Sequence, residues 1–389
     1  MRGHVRRRGK TWTVVVCIGR EDGRPRYKWY SGFETKKQAE TRLTELLREM
    51  DLGDYLIPTN ETVGEFLARW LRDYAKGNVA PKTHEGYEHM IERHISPAIG
   101  HLQLTKLTPA QLQAYYAEKL TSGRIRGKGG LSPRTVHHHH VVIHGALESA
   151  VKWGLLHRNP ADATDPPRFE TPEMNTLDDD GVRTFLEAAR PTLWYPMIYV
   201  ALFTGLRRSE LLALRWDDVD LTLGYIYVKR AVHRLRDGSI VFRIPKSKRS
   251  RRPVALPPSA ILMLRNHQEK EELRRSLTDG GKVRGQDLIF ARDDGSPYPP
   301  DSLTQAWRKL AKASGFTGIR LHDARHTHAT LLLKHNVHPK VVQERLGHST
   351  IATTLDIYSH VIPGLQDAAA RQFDLAVDVT RNSVDVSER

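Results

Sequence analysis

The chain holds a single cysteine, Cys17, which excludes an internal disulfide framework and any cysteine-rich zinc module. Long apolar runs are missing as well. The longest mainly apolar stretch, residues 194–206, has thirteen residues and runs straight into Arg207 and Arg208, too short to span a bilayer. The first ten residues are basic, but only six residues separate Thr13 from Arg20, too few for the apolar core of a signal peptide. A soluble protein of a reducing compartment, the cytoplasm, is therefore expected. Acidic residues are in deficit. Asp and Glu number 45 against 60 Lys and Arg, a net charge of +15 and a pI near 9.8. Such an excess favours a polyanionic partner, nucleic acid before membrane.

What is present is ordinary globular material. The hydrophobic fraction is 39% of 389 residues, enough for packed cores, and a length of that order suggests two to three domains at ~150 residues each. Residues 1–57 form a small unit, with strands expected over 11–18 and 26–30, a turn over 21–24 and a helix over 36–50. Its basic residues Arg2, Arg6, Arg7, Arg8, Lys10, Arg24, Arg26 and Lys28 sit at the front and on the strands. Residues 56–60 make a first linker.

Residues 60–160 are expected to be all-helical. Thr62 with Glu65 and Thr108 with Gln111 have capping-box spacing, and Pro109 and Pro133 suit first helical positions. Val136, Ile143, Leu147 and Val151 make an apolar stripe. The loop over 123–130, with Arg124, Arg126 and Lys128, is glycine-rich and basic. Its spacing misses that of a phosphate-binding loop, so a solvated loop or a DNA-backbone contact is expected. The run His137–His140 with His144 lacks a third ligand and a Glu at the spacing of a zinc helix, so a polar helix face is expected rather than a metal site. Residues 161–175, with paired prolines, make a second linker. From 174 to 389 a larger, mainly helical domain follows, with a strand-rich insert over 223–244.

Four polar stretches of this last domain stand out. In the first, Gly205 breaks an apolar helix and Arg207, Glu210, Leu211 and Leu214 are expected on one face of the next, with Glu210 placed to hold the Arg207 guanidinium. The second is a basic turn with Lys246, Lys248 and Arg249, expected as a hairpin tip suited to a DNA groove. In the third, His322 and Arg325 share the polar start of an otherwise apolar helical face, where they need an anionic partner such as phosphate; Asp323 projects elsewhere. The fourth carries His348 and, ten residues later, Tyr358. Its helix, glycine and second helix also have the look of a helix-turn-helix.

Taken in order, TGLRRSEL, the turn lysine, His322 with Arg325, LGHS and Tyr358 resemble the tyrosine recombinases, particularly phage and mobile-element integrases. The resemblance covers 174–364 well, fits 60–160 as the family's core-binding domain and, more weakly, 1–57 as an arm-binding module. At Ala324 the family more often has a larger aliphatic residue. The resemblance implies a multidomain, mainly α protein: a small α+β module, an all-helical core-binding domain and a mixed α+β catalytic domain. It also implies site-specific recombination of double-stranded DNA attachment sites. Tyr358 would form a covalent 3′-phosphotyrosyl intermediate, with no ATP, metal or cofactor. Arg207, Arg325 and His348 would stabilise the transition state, His322 would be the general base, Lys246 the general acid and Glu210 the orienter of Arg207. A homotetramer on DNA is implied, with an excisionase or DNA-bending protein as a possible accessory and a bacterial host.

Two other readings stand beside this one. A helix-turn-helix regulator would bind DNA without cleaving it, leaving Arg207, Lys246 and Tyr358 together unexplained. A relaxing enzyme of the type IB topoisomerase kind would share the tyrosine chemistry without needing an arm module. After Pro363, Leu365, Ala368, Ala369, Phe373 and Ala376 form a short apolar stripe that either packs on its own domain or docks on a neighbouring protomer.

Overall fold

The structure, a computed structural model, describes residues 3–21, 24–51, 60–170, 174–244, 250–278, 287–358 and a few positions between 370 and 377. The chain divides into two compact units, 1–171 and 172–389.

The first unit holds two separate hydrophobic cores. At its front, β1 (Gly3–Arg8), β2 (Thr11–Glu21) and β3 (Arg24–Phe33) form an antiparallel sheet in that order, followed by α1 (Lys36–Asp51). The expected strands and helix are all present, and β1 is an addition. The basic run hides its pattern, because Val5 is the only apolar side chain that it turns inward; it lies opposite Val14 and joins Val14, Val16, Ala39 and Leu46 under the helix. Strand alternation then puts His4, Arg6 and Arg8 on the face away from α1.

The second core belongs to a helical bundle. α2 (Val63–Trp70) runs through a π-helical turn into α3 (Lys76–Asn78), and α4 (Pro81–Met90) runs through another into α5 (Ser96–Ile99). α6 (Pro109–Ser122) and α7 (Pro133–Lys152) complete it. Both capping boxes close: the Thr62 and Glu65 pair, and the Thr108 and Gln111 pair, exchange side-chain-to-backbone bonds of 2.8–3.3 Å. Val136, Ile143 and Leu147 are buried along α7, whereas Val151 is half-buried. The histidine run is a polar face only in part: His138 is exposed and His137, His140 and His144 are half-buried. His139 is fully buried, and its Nδ1 lies 2.9 Å from the Tyr115 hydroxyl, while His140 Nδ1 lies 3.0 Å from that of Tyr116. The second linker begins later than expected too, because a 3-10 turn, Pro160–Ala163, puts Ala161 into the bundle core. The glycine-rich loop leaves Arg124, Arg126 and Lys128 exposed.

In the second unit the core gathers around α9 (Tyr195–Thr204), whose Ile198, Val200 and Leu202 are all buried. α8 (Asp179–Ala189), α11 (Pro258–Thr278) and α12 (Pro300–Ala313) surround it. The strand insert forms two sheets. β4 (Val219–Asp220), β5 (Tyr225–Val228) and β8 (Arg252–Ala255) make one, and β6 (Ala231–Arg234) with β7 (Ile240–Arg243) makes the other. The strands flanking the basic turn are therefore not paired with each other: β8 takes β5 as its partner, with Val254 opposite Ile226. The flanking strands therefore do not form the expected hairpin, and the turn itself, 245–249, lies outside the described residues. α10 (Arg208–Leu211), α13 (Asp323–Lys334), α14 (Pro339–Leu346) and α15 (Ile351–Tyr358) carry the polar stretches.

Candidate active site

Two helix ends frame the site. α9 stops at Gly205 and α14 at Gly347, both in the left-handed conformation (φ 64° and 68°), which glycine adopts without a Cβ penalty. The ends also lie close together: a Cβ on Gly205 would sit 2.7 Å from Leu346 Cδ2 and 2.9 Å from His328 Cδ2. Helix C-termini present unpaired carbonyls and the negative end of the helix dipole. Arg325, only 3% exposed, bridges the two, donating from Nη1 to Gly205 O at 2.8 Å and from Nη2 to Leu346 O at 2.6 Å.

Arg207 comes from the extended residue between α9 and α10 (φ −67°, ψ 148°). It is not part of a helical face with Leu214, because α10 ends at Leu211 after four residues. Glu210 reaches back to it. The Arg207 backbone N–H donates to Oε2 at 3.0 Å and its Nη1 to Oε1 at 2.7 Å, and Nη2 lies 3.5 Å from Gly347 O. The pairing of Arg207 with Glu210 thus occurs, as a helix-start clamp rather than a side-by-side pair. Burial works to raise the Glu210 pKa, but the charge and bonds of Arg252, then those of Arg207, outweigh it and hold the carboxyl below its ordinary range.

His322 immediately precedes α13 and keeps a solvent-exposed edge. Desolvation of the rest of the ring, then the charge of Arg325, lowers its pKa; Asp323 opposes and Arg207 adds to the lowering. His326 stands edge-on to it, ring centroids 4.9 Å apart, and is pushed down to about 4, chiefly by burial. Asp323 is fully buried and accepts from the Arg320 backbone and guanidinium at 2.7–3.2 Å. His348, 8% exposed, follows Gly347; its Nδ1 lies 2.9 Å from Thr354 Oγ1 of α15. Burial, then Arg325 and Arg207, push it down to about 4. Both histidines are therefore neutral at pH 7, and both feel both arginines.

Arg207, Arg325, His322 and His348 are thus brought together. Tyr358 closes α15, which packs on α13 and α14; its side chain lies outside the described residues. Lys246, Lys248, Arg249 and Arg2 also lie outside them, as does most of the chain after Tyr358. Arg6, Arg7, Arg8 and Lys10 are exposed in the first unit. Among the described residues, no group of three or more His, Cys, Asp or Glu is placed to hold a metal ion, and no helix is long and apolar enough to cross a membrane.

Three residues escaped the spacing analysis. Arg252, 7% exposed, clamps both Glu210 oxygens. Arg345 donates from Nε to His328 Nε2 at 2.8 Å and from Nη2 to Phe203 O at 2.9 Å. Because arginine only donates, His328 Nε2 must accept, so its proton sits on Nδ1, 2.9 Å from Leu202 O. The signal for Arg252 was its place in β8, on the strand face of buried Val254: an arginine on an apolar face demands an anion. Burial, then the charge of Arg252, lowers the Arg345 pKa. Positive charge therefore accumulates here beyond what Glu210 and Asp323 neutralise, the condition for binding a phosphate.

Known proteins resemble this chain along most of its length. The model of the phage integrase family matches residues 175–363, that of the phage integrase N-terminal SAM-like domain residues 62–120, and that of the Arm DNA-binding domain residues 4–50. A tyrosine recombinase XerC-like protein of Caldanaerobacter subterraneus subsp. tengcongensis is 29% identical over 90% of this chain and 93% of that protein. The ICEBs1 integrase of Bacillus subtilis is 29% identical over 76% and 78%, and the integrase of Mycobacterium phage L5 is 26% identical over 86% of each. Among solved structures, the Tn1549 transposon integrase in complex with a circular intermediate DNA superposes with a TM-score of 0.67 at 21% identity, over 81% of this chain and 99% of that one. A lambda integrase tetramer bound to a Holliday junction gives 0.57 at 18% identity, over 92% and 94%. The chain belongs to the phage integrase family, the tyrosine-type site-specific DNA recombinases that integrate and excise mobile DNA.

Proposed function

We propose that the cluster of the second unit is the recombinase's catalytic centre and that it cleaves DNA through Tyr358. The observation that carries this reading is the convergence of Arg207 and Arg325 on the carbonyls that end α14, beside His348 and ahead of the helix that Tyr358 closes. The Tyr358 oxygen attacks the scissile phosphorus and gives its proton to His322. A 3′-phosphotyrosyl bond forms, the bond from phosphorus to the 5′-oxygen breaks, and Lys246 protonates that oxygen. A 5′-hydroxyl from a partner strand then reverses the steps. The exchange conserves the phosphodiester energy, so no ATP is consumed. Charge that develops on the non-bridging oxygens is met by Arg207 and Arg325. His348, with Thr354 donating to its Nδ1, offers Nε2–H to the same oxygens. The low His322 pKa suits a base, since the neutral imidazole accepts at pH 7.

The substrate is double-stranded DNA at attachment sites, and strand exchange takes place in a homotetramer. The junction-bound tetramer of lambda integrase supports that assembly. Three domains divide the work: an arm-type DNA-binding module over 1–57, a core-binding domain over 60–160 and the catalytic domain from 174. Arg2, Arg6, Arg7, Arg8, Lys10, Arg124, Arg126, Lys128, Lys248 and Arg249 contact DNA. An excisionase or DNA-bending protein sets direction, and the setting is the bacterial cytoplasm.

Covalent trapping tests this reading. Wild type and Tyr358→Phe are incubated with total DNA of the source cells, stopped with SDS, and the held fragments are sequenced. A wild-type adduct at one discrete sequence is expected, with none from Tyr358→Phe. Adducts scattered over all sequences would point to a relaxing enzyme, and binding without any adduct to a regulator.

A further inference from the structure

Arg252 joins the parts of the site that lie far apart in sequence. It opens β8, buried on the same strand face as Val254, and its guanidinium touches three separate stretches. Nη1 and Nη2 donate to the two oxygens of Glu210 at 3.3 and 3.1 Å, the carboxylate that holds Arg207. Nη1 also donates to Ser250 O at 3.1 Å, four residues after Lys246 in sequence. Nε donates to Arg345 O at 2.6 Å, in the last turn of α14 and three residues before His348.

We propose that Arg252 is a positioning residue of the recombination reaction: through Glu210 it fixes the angle at which Arg207 presents its guanidinium. Through Ser250 and Arg345 it holds the chain leaving the Lys246 turn and the chain entering His348 in the same frame. The inference rests on the catalytic assignment proposed above.

The physical reason lies in how a carboxylate is held. Arg207 reaches one Glu210 oxygen with its guanidinium and the other with its backbone N–H. That leaves the carboxylate free to rock and to carry the Arg207 fork with it. A second fork laid across both oxygens removes that freedom. Glu210 and Arg252 are both buried (3% and 7% exposed), where such bonds are strong and their geometry is stiff. Arg207 itself stays 35% exposed. Misplacing a catalytic group by about 1 Å costs roughly 10²-fold in rate, so the rigidity of this support is felt in turnover rather than in affinity. Lysine at 252 would keep the charge but offer a point contact in place of the planar fork.

The experiment compares full-length Arg252→Gln and Arg252→Lys with wild type and Arg207→Ala. Thermal unfolding establishes which variants fold; if the glutamine variant does not, the lysine variant decides. The substrate is a nicked duplex carrying the site recovered by covalent trapping. Adduct formation should slow by about 10- to 100-fold in the Arg252 variants, while the Kd for the duplex stays within about threefold. Lysine should restore only a small part of the rate. The same duplex is then made with a methylphosphonate at the scissile position, which removes the charge that Arg207 meets. Arg207→Ala and the Arg252 variants should both lose most of their deficit on it, whereas a general packing defect slows both substrates equally. Wild-type rates in the Arg252 variants, or equal deficits on the two substrates, overturn the inference while leaving the catalytic assignment standing. Absence of any Tyr358-dependent adduct in wild type overturns the catalytic assignment and this inference with it.

Discussion

A charged guanidinium taken out of water must meet an anion or be fenced by carbonyls. Arg252 does the first and Arg325 the second, and the histidines around them respond by staying neutral. His326 and His348 titrate at about 4 and His328 at about 3; His139 in the bundle, buried by its neighbours, also titrates at about 4. Each value lies below the ordinary 6.5, so between pH 6.5 and about 4 the unfolded chain binds more protons than the folded one. Stability is therefore complete above pH 6.5 and falls as the pH drops through that window, with a slope approaching about 1.4 kcal/mol per pH unit for each such histidine. The urea midpoint of the full chain should decline steeply from pH 7 to 5, before most carboxylates titrate. A flat midpoint over that range would contradict the neutral assignment. Spacing made Arg207, Glu210, His322 and Arg325 conspicuous, because each sits beside an apolar run, whereas His348 was singled out only through the family resemblance of LGHS. Arg345 and His328 stayed hidden: their bond joins residues on two helices, and only the folded chain brings those helices together.

At the scale of elements, the site depends on where helices stop. Gly205 and Gly347 end α9 and α14 so that both sets of terminal carbonyls face Arg325. Gly205→Ala would meet two costs: the left-handed backbone, about 1–2 kcal/mol, and the clash with Leu346 and His328. Gly154 is the matched control, left-handed as well (φ 70°) but with nothing within 4 Å of an added Cβ. Calorimetry should therefore show Gly205→Ala lowering the melting temperature of the second unit further than Gly154→Ala lowers that of the first. Adduct formation should fall only in the Gly205 variant, since its carbonyl is an Arg325 acceptor. Equal losses at the two positions would mean that the close approach of the helix ends does not matter. The helices were legible because their start signals are local: threonine caps, first-turn prolines, an apolar stripe. Strand partnership was not. Nothing local in the segment from Ile240 to Ala255 says that β8 leaves β7 for β5, because that choice is made by Val254 packing opposite Ile226 in the core.

For the whole molecule, the +15 charge set the class of partner before any motif was considered, and the matches to three family models then ordered the chain into its modules. The charge does not say which arginines touch DNA. For the front sheet, geometry narrows the choice. β1 packs the half-buried Val5 against the core under α1, so Arg6 and Arg8 project from the opposite face, where Tyr27 and Trp29 of β3 are also exposed. A face of arginines and aromatic rings, with the helix on its other side, is free to lie against a phosphate backbone. A phosphate contact releases a counterion, and its loss lowers the slope of log K against log salt by about 0.9. Arg8→Ala should thus weaken binding of the full chain to its attachment DNA most at low salt and flatten the salt dependence by about one ion. At saturating protein the Tyr358 adduct should form at the wild-type rate, because the proposed catalytic centre lies in the second unit. Titrations at a series of salt concentrations decide the matter. An unchanged slope would remove Arg8 from the phosphate contacts, and a slowed adduct at saturation would show that the front sheet acts on the chemical step as well as on binding.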